Sequence, residues 1–191
     1  MWKITEDESV LASEVPAEKI PDGLTNPLKR LEFLAGRALI KALLQQWDIS
    51  FHRLEKDIFG KPFLSNSHIH ISLSHSYPHV AAVLNKEKNV GIDLEQPKDK
   101  LLRIAHRILA PDELEDAGDN VTKHCIYWCA KEALVKIHGK KDLVFATNLR
   151  ISPFPMSPSG HLIGRIVADN EETSIPLQYT VFDNFVVVIS G

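Results

Sequence analysis

The stretch Val90-Gly91-Ile92-Asp93-Leu94-Glu95 places two carboxylates on alternate residues of a short apolar run. Alternation with a period of two is typical of a β-strand, and it puts Asp93 and Glu95 on one face with Leu94 on the other. Two neighbouring carboxylates repel each other unless they share a cation or a proton. A hard divalent cation such as Mg²⁺ suits carboxylate oxygens, although the end of a solvated strand would show the same pattern.

A second acidic motif is Trp128-Cys129-Ala130-Lys131-Glu132-Ala133-Leu134-Val135-Lys136, which lies within a stretch of helical periodicity. Glu132 and Lys136 are four residues apart and share a helix face, whereas Lys131 is turned away by roughly 100°. The simplest interpretation is an intrahelical salt bridge worth about 0.3 kcal/mol. Because the neighbouring residues are mostly apolar, we expect Glu132 to project from a largely buried helix and therefore to need a cation.

The first part of the chain predicts one long helix and a sheet. A strand is predicted from Trp2 to Thr5, before an acidic stretch. Asn26-Pro27 is typical of a helix start, since a capping residue precedes proline at the first helical position, and the apolar stripe that follows extends to about Trp47. Residues 50–95 are mostly predicted strand, interrupted by turns.

The second part of the chain repeats this order, with helices before sheet. A helix is predicted over residues 101–109, a short one begins at Pro111, and a long one follows the capping residue Asn120 and extends to His138, before Gly139. The uninterrupted apolar run over residues 185–189 predicts a central strand near the end of the chain.

Length and composition set limits on the class of protein. The 191 residues suffice for one large domain or two small ones, and the net charge of -3 gives no global basic field for nucleic acid. The apolar runs are too short to span a membrane, and the acidic N-terminus does not resemble a signal peptide, so we expect a cytoplasmic protein. Cys125 and Cys129 are expected to be buried thiols without a disulfide. We place the boundary between the halves so that they comprise residues 1–92 and 93–191.

Two upstream motifs could bind phosphate. Gly60-Lys61-Pro62 is a turn that presents one lysine, and Leu73-Ser74-His75-Ser76 is predicted to lie where a strand runs into a loop. Neighbouring residues on a strand face opposite ways, so Ser74 and His75 do not form a nucleophile–base pair. A hydroxyl, an imidazole and an ammonium group are suitable phosphate ligands.

Taken together, the four motifs resemble the signature of the 4′-phosphopantetheinyl transferase superfamily, in its Sfp-type branch. The Gly91-Ile92-Asp93 and Trp128-to-Lys136 segments resemble its G-[IV]-D and W-x-x-K-E-[AS]-x-x-K motifs. The two upstream segments resemble its G-K-P and [NS]-L-S-H-S motifs, and the order is the same. The helix that contains Arg37 resembles the first helix of the family more loosely.

The resemblance implies a reaction and a set of roles. Sfp-type enzymes transfer the 4′-phosphopantetheine arm from coenzyme A to a serine of an acyl, peptidyl or aryl carrier protein, with Mg²⁺, and release 3′,5′-adenosine bisphosphate. The implied Mg²⁺ ligands are Asp93, Glu95 and Glu132. The groups implied to bind coenzyme A are Arg37, Lys61, Ser74, His75, Asp93 and Lys136.

The resemblance leaves the group that takes the serine proton open. Glu132, Glu113 or a metal-bound water could accept it, and we favour Glu132, directly or through a water, while Lys136 stabilises the developing negative charge. Glu113 falls where the family has a glutamate near the incoming serine. An acidic carrier is expected to dock on basic residues and to be weakened by salt. Those residues are Arg103, Arg107, Lys123 or Lys140.

The implied fold is α+β, with two similar α/β halves related by a pseudo-twofold axis and the active site in the cleft between them. A monomer is expected, because the halves supply each other's interface. The carrier could serve fatty-acid, polyketide or nonribosomal peptide biosynthesis. Two alternatives stay open: another Mg²⁺-dependent enzyme acting on a nucleotide or phosphate, and a non-catalytic protein that binds coenzyme A.

Overall fold

A computed structural model describes residues 1–65, 67–140 and 142–191 of the chain. The chain divides into two compact units, residues 1–89 (unit 1) and 90–191 (unit 2). Both contain helices and antiparallel sheet, which confirms the predicted α+β class. The boundary predicted between residues 92 and 93 would cut a strand, whereas the division at 89 keeps that strand whole within unit 2. The predicted pseudo-twofold relation between the halves stays a prediction.

The elements of unit 1 are β1 (Trp2–Lys3), α1 (Glu8–Glu14), α2 (Pro27–Gln45), β2 (Leu54–Lys56), β3 (Pro62–Leu64), β4 (His70–Ser76) and β5 (His79–Asn85). The long helix α2 packs on an antiparallel sheet of order β1-β5-β4. Strands β2 and β3 form a separate two-stranded sheet.

Helix α2 begins where the sequence predicts it. The Asn26 side chain accepts hydrogen bonds from the backbone N–H groups of Leu28 and Lys29, at 3.0 and 3.2 Å, and Pro27 occupies the first turn. The apolar stripe of the helix is buried against β4 and β5, with Leu34 and Ile40 almost fully enclosed. Burial of this face, rather than intrinsic helix propensity, is the main source of its stability.

The helices of unit 2 are α3 (Lys100–Ile108), α4 (Pro111–Ala117), α5 (Val121–His138) and α6 (Phe145–Asn148). Its strands are β6 (Ile92–Glu95), β7 (Leu149–Ile151), β8 (Ser159–Ala168), β9 (Glu171–Phe182) and β10 (Phe185–Ser190). The long helix α5 packs on a five-stranded sheet of order β6-β10-β9-β8-β7.

The ends of α5 and the position of β10 confirm the predictions made for them. The Asn120 side chain accepts the N–H of Lys123 at 3.0 Å, and Gly139 ends the helix with a left-handed φ of 80°. Strand β10 lies between β6 and β9, which explains its continuous apolar sequence. Cys125 and Cys129 are buried free thiols, as expected.

Three local predictions need correction. Strand β4 continues to Ser76, so His75 lies within the strand and not in a loop, because its backbone pairs with Val80 of β5. The acidic N-terminal stretch contains a helix, α1, which Asp7 caps by accepting the N–H of Val10. A short helix, α6, precedes β7 where only sheet was expected. Over the three described ranges, no helix has both the length and the apolar character needed to cross a membrane.

Candidate active site

Gly91 allows strand β6 to lie directly against helix α5. A Cβ atom on residue 91 would lie 2.0 Å from the carbonyl oxygen of Ala133 and 2.9 Å from Cγ1 of Ile137. Overlap with backbone can be relieved only if the strand or the helix moves, because the interior is closely packed. The glycine of the first acidic motif therefore sets the spacing between the strand and the helix that hold the two motifs.

Lys136 joins the two acidic motifs. Its Nζ donates to the carbonyl oxygen of Ile92 at 2.7 Å and to Oδ1 of Asp93 at 2.8 Å. Asp93 is buried, with 5% of its surface exposed. The ammonium group thus reaches from α5 to β6, instead of forming the intrahelical salt bridge with Glu132 that the sequence also allowed.

Glu132 and Glu95 are partly buried carboxylates in the negative field of Asp93. Burial, together with the charges of Asp93 and Glu95 and against the charge of Lys136, raises the pKa of Glu132 to about 7. Burial also raises the pKa of Glu95, and the charge of Asp93 adds to that shift. Because the carboxylates repel one another, a shared cation or a bound proton would stabilise them.

The donor set suits Mg²⁺ in its chemistry, although the side chains are not gathered around one point. Among the residues that the structure describes, no three His, Cys, Asp or Glu side chains lie close enough together to hold a metal ion. Asp93 is nevertheless near enough to raise the pKa of both Glu95 and Glu132, and carboxylate oxygens are the ligands that Mg²⁺ prefers.

Glu113 is enclosed in the core of unit 2, with no exposed surface. Its Oε2 accepts the N–H of Ala110 at 2.7 Å and its Oε1 accepts the N–H of Ile151 at 2.7 Å. The same Oε2 lies 2.5 Å from Nζ of Lys131, which is also fully buried. Both carboxylate oxygens are therefore used within the fold, which does not favour the predicted place of Glu113 beside the incoming serine.

Lys131 has a structural role in the second motif. Besides Glu113, its Nζ donates to the carbonyl oxygens of Ile108 at 2.8 Å and of Phe145 at 3.0 Å. These bonds tie α5 to the end of α3 and to α6. Adjacent residues of a helix point roughly 100° apart, so Lys131 can stabilise the core while Glu132 lies near Asp93 and Glu95.

Parts of the phosphate-binding motifs of unit 1 line a cavity of about 530 Å³. Arg37, Gly60, Pro62 and His75 contribute to its lining. His75 has 44% of its side chain exposed, whereas its neighbour Ser74 is buried, as alternation along β4 requires.

Lys61 is held beside the cavity by its turn and by Asn89. Its backbone N–H donates to Oδ1 of Asp57 at 2.9 Å, and Gly60 before it adopts a φ of 90°. Its Nζ donates to Oδ1 of Asn89 at 3.1 Å, and burial lowers the pKa of the ammonium group. Residues that line the cavity flank Lys61 on both sides, so the turn brings this lysine to its edge.

Arg37 lines the same cavity, but its guanidinium group already has partners. Nε donates to Oε2 of Glu18 at 2.9 Å, Nη1 donates to the carbonyl oxygen of Phe33 at 3.0 Å, and the group lies over the Phe33 ring. Burial lowers its pKa, against the charge of Glu18. Binding of a phosphate by Arg37 stays a prediction, and it would compete with Glu18.

Sequence reasoning missed Glu32, a buried carboxylate that lines the cavity next to His75. Oε2 of Glu32 lies 3.2 Å from Nδ1 of His75 and 2.6 Å from Nζ of Lys29. The available signal was its position in the helix: Glu32 shares the phase of Ala35 and Leu39, so it falls on the apolar face of α2.

The basic residues expected to dock a carrier differ in their accessibility. Arg103, Arg107 and Lys140 are exposed. Lys123 is not available, because its Nζ lies 2.9 Å from Oδ2 of Asp116 and 5.0 Å from the centre of the Phe154 ring, which leaves 10% of its side chain exposed. The prediction of a docking role for Lys123 is therefore wrong.

Comparison with known proteins agrees with this geometry. The sequence profile of the 4′-phosphopantetheinyl transferase superfamily matches residues 89–188, which include β6, α5 and the acidic residues on them. A putative 4′-phosphopantetheinyl transferase of Haemophilus influenzae is 34% identical over 128 residues, which are 63% of this chain and 50% of that protein.

Two further relatives give the same assignment. The 4′-phosphopantetheinyl transferase AcpT of Salmonella typhimurium is 29% identical over 66% of this chain and 70% of its own length. The 4′-phosphopantetheinyl transferase HetI of a Nostoc species is 29% identical over 59% of this chain and 54% of its own length. The matches thus span about half the length of the Haemophilus and Nostoc proteins. By its profile match, which covers more than half of its residues, the chain belongs to the 4′-phosphopantetheinyl transferase superfamily.

Proposed function

We propose that this protein transfers the 4′-phosphopantetheine group from coenzyme A to a serine of an apo carrier protein, as a holo-acyl-carrier-protein synthase of the Sfp type. One observation carries the proposal: within the stretch that matches the family, Lys136 on α5 reaches Asp93 on β6, beside Glu95 and Glu132. This arrangement combines one cation with several carboxylates, which is what phosphoryl transfer to a hydroxyl requires.

In the proposed reaction the serine oxygen forms a bond to the β-phosphorus of coenzyme A. The bond from that phosphorus to the oxygen of the leaving 3′,5′-adenosine bisphosphate breaks, and its electron pair stays on the leaving oxygen. Lys136 supplies positive charge for the oxygens on which negative charge grows. Glu132 accepts the proton of the serine, directly or through a water.

Glu113 is left out of the proposed proton transfer. Both of its oxygens accept backbone N–H groups, and Lys131 neutralises its charge inside the core. A base in that position would have to leave a fully buried ion pair before it could reach a substrate, which is strongly unfavourable.

We propose Mg²⁺ as the cofactor and Asp93, Glu95 and Glu132 as the residues that would hold it. Bound Mg²⁺ would neutralise negative charge on the phosphate oxygens of coenzyme A, which is the chemistry that the side chains of this chain do not supply alone. The support is the donor set itself, because burial and like charge raise the pKa of Glu132 and Glu95 and so favour sharing a cation.

The phosphates of coenzyme A are proposed to contact residues of the two upstream motifs. His75 lines the cavity of unit 1 with its ring nitrogens, and Lys61 lies between two residues that line it. Ser74 lies on the opposite, buried face of β4, so its hydroxyl contact with a phosphate stays a prediction. Arg37 would have to exchange Glu18 for a phosphate, so its contribution is expected to be smaller.

The acceptor is proposed to be an acidic acyl or peptidyl carrier protein that approaches the exposed basic face of α3. Arg103 and Arg107 lie on that face, opposite the buried Leu101 and Ala105. The monomeric state, the cytoplasmic location and the biosynthetic pathway that the carrier serves stay predictions.

The experiment combines the protein with coenzyme A, Mg²⁺ and each of several apo carriers and then weighs the carrier by mass spectrometry. We expect a mass gain of one phosphopantetheine on the serine of at least one carrier, and no gain when that serine is replaced by alanine. Release of adenosine bisphosphate without any carrier would indicate a hydrolase instead. Binding of coenzyme A with no turnover on any carrier would indicate a binding protein.

A further inference from the structure

The contacts of Glu32 link it to His75 in two ways. Oε1 accepts the backbone N–H of Tyr77 at 2.9 Å, and this bond fixes the turn that directly follows β4. Oε2 lies 3.2 Å from Nδ1 of His75 and 2.6 Å from Nζ of Lys29, at ion-pair distance although neither group is aligned as a regular hydrogen bond. Glu32 therefore acts on both the backbone and the ring of the β4 end.

The Glu32 carboxylate is charged near neutral pH in this environment. Its side chain has 1% of its surface exposed. Burial by itself raises the pKa of the carboxyl, but the contacts with His75 and Lys29 outweigh burial and hold the pKa at about 2. A buried carboxylate beside an imidazole favours a proton on the nearer ring nitrogen and stabilises the protonated ring.

The other charges around the cavity largely pair off. Arg37 pairs with Glu18, Lys29 pairs with Glu32, and Glu55 pairs with Arg53. The titratable and charged groups that line the cavity come from α2 and β2 as well as β4. They are Lys29, Glu32, Arg37, Glu55, Lys56 and His75.

We propose that Glu32 is a positioning residue for His75: its carboxylate holds the Nδ1 side of the ring and leaves the protonated Nε2 side for an anionic ligand in the cavity. The inference rests on the proposed function, under which that ligand is coenzyme A. A similar arrangement occurs at metal sites, where a carboxylate accepts a hydrogen bond from one imidazole nitrogen and the other nitrogen binds the metal.

A positioning role and a simple charge effect predict opposite changes in the affinity for an anionic ligand when Glu32 is replaced. Replacing Glu32 by glutamine removes one negative charge from the cavity and frees Lys29, so charge alone predicts tighter binding of an anion. A positioning role predicts weaker binding, because the His75 ring loses the carboxylate that lies beside its Nδ1 atom and orients it.

The first test observes His75 directly, without any substrate. Nitrogen-15 spectra that correlate the imidazole nitrogens with the ring protons report the protonation of Nδ1 and Nε2 in the intact protein. We expect Nδ1 of His75 to carry a proton at pH 7 in the wild type and in Glu14→Gln, and the neutral form with the proton on Nε2 to grow in Glu32→Gln. Glu14 of α1 serves as the charge control, because it pairs with Lys41 of α2 outside the cavity. Identical His75 spectra in Glu32→Gln and wild type would overturn the proposal.

The second test measures coenzyme A binding by calorimetry in a double-mutant cycle. We expect Glu32→Gln to weaken binding about tenfold at pH 7, the effect of losing one well-placed hydrogen bond to a charged group. In a His75→Gln background, Glu32→Gln should have no effect or should strengthen binding. Tighter binding by the Glu32→Gln single variant, or equal weakening in both backgrounds, would refute a role through His75. If the wild type does not bind coenzyme A, the proposed function fails, whereas the spectra still decide whether Glu32 positions His75.

Discussion

Replacing Lys131 by methionine removes the cation from an ion pair that is fully buried in unit 2. Methionine fills similar space, but Glu113 then keeps its charge with the N–H groups of Ala110 and Ile151 as hydrogen-bond partners and with Nε of Arg150 4.0 Å from its Oε1. The carbonyl oxygens of Ile108 and Phe145 lose their donor as well. Removing one partner of a buried ion pair typically costs about 3–5 kcal/mol, because an uncompensated charge stays in the core.

This cost predicts a large shift in the unfolding temperature. For a chain of this length, 1 kcal/mol corresponds to about 2–4 °C, so Lys131→Met should lower the midpoint by about 6–20 °C. Glu113→Gln should cost a similar amount, since it leaves Lys131 charged and buried. The double variant should be no less stable than either single variant, because it removes both charges. Circular dichroism during thermal and urea unfolding gives the midpoint and the free energy of unfolding for the wild type, the two single variants and the double variant.

The same variants decide between a structural and a catalytic Glu113. We expect Glu113→Gln to retain transferase activity in proportion to its folded fraction when assayed well below its midpoint. A Glu113→Gln protein that melts like the wild type and yet transfers no phosphopantetheine would refute the structural assignment. It would restore Glu113 as the residue that takes the serine proton.

Three further outcomes follow from single contacts. Gly91→Ala should destabilise the protein by about 1–3 kcal/mol, because its Cβ would meet the Ala133 carbonyl oxygen at 2.0 Å; a melting curve that matches the wild type would show that β6 and α5 can separate without cost. The folded-state pKa of Glu32, about 2, lies below its ordinary value of 4.5, so Glu32 stabilises the protein above pH 4.5, and this contribution is lost as the pH falls towards 2. The free energy of unfolding, measured with urea between pH 5 and 2, should therefore fall less steeply for Glu32→Gln than for the wild type. Equal slopes for the two proteins would exclude the pKa shift. Reversing the charges of Arg103 and Arg107 with glutamate should raise the KM for the carrier and remove most of its dependence on salt, whereas an unchanged KM would place docking elsewhere.

The sequence predicted those elements whose ends have a local chemical cause. Asn26, Asn120 and Gly139 act on backbone groups within one turn of the helix end, so their effect can be seen in a short window of sequence. The apolar run of β10 is equally local, because it can be read from six consecutive residues, of which only Val187 and Ile189 are less than fully buried.

Features that depend on distant partners could not be predicted in this way. His75 extends β4 because the backbone of Val80 pairs with it, and the preceding residues do not encode that partner. The burial of Lys131 and Glu113 depends on 17 intervening residues that fold α4 onto α5, so the sequence alone did not indicate that the two residues pair. The two acidic motifs were assigned to one site by their resemblance to a family, and the contact between Lys136 and Asp93 gives that assignment a physical basis.

The most direct test of the proposed function is the mass of an apo carrier after incubation with coenzyme A, Mg²⁺ and either the wild type or Glu132→Gln. Glutamine keeps the size of the side chain and removes its charge, and circular dichroism verifies that the variant is folded. We predict a gain of one phosphopantetheine with the wild type, and with Glu132→Gln a rate lower by at least about a hundredfold, the contribution expected of a general base. A variant that modifies the carrier as fast as the wild type would contradict the assignment of Glu132 to the reaction.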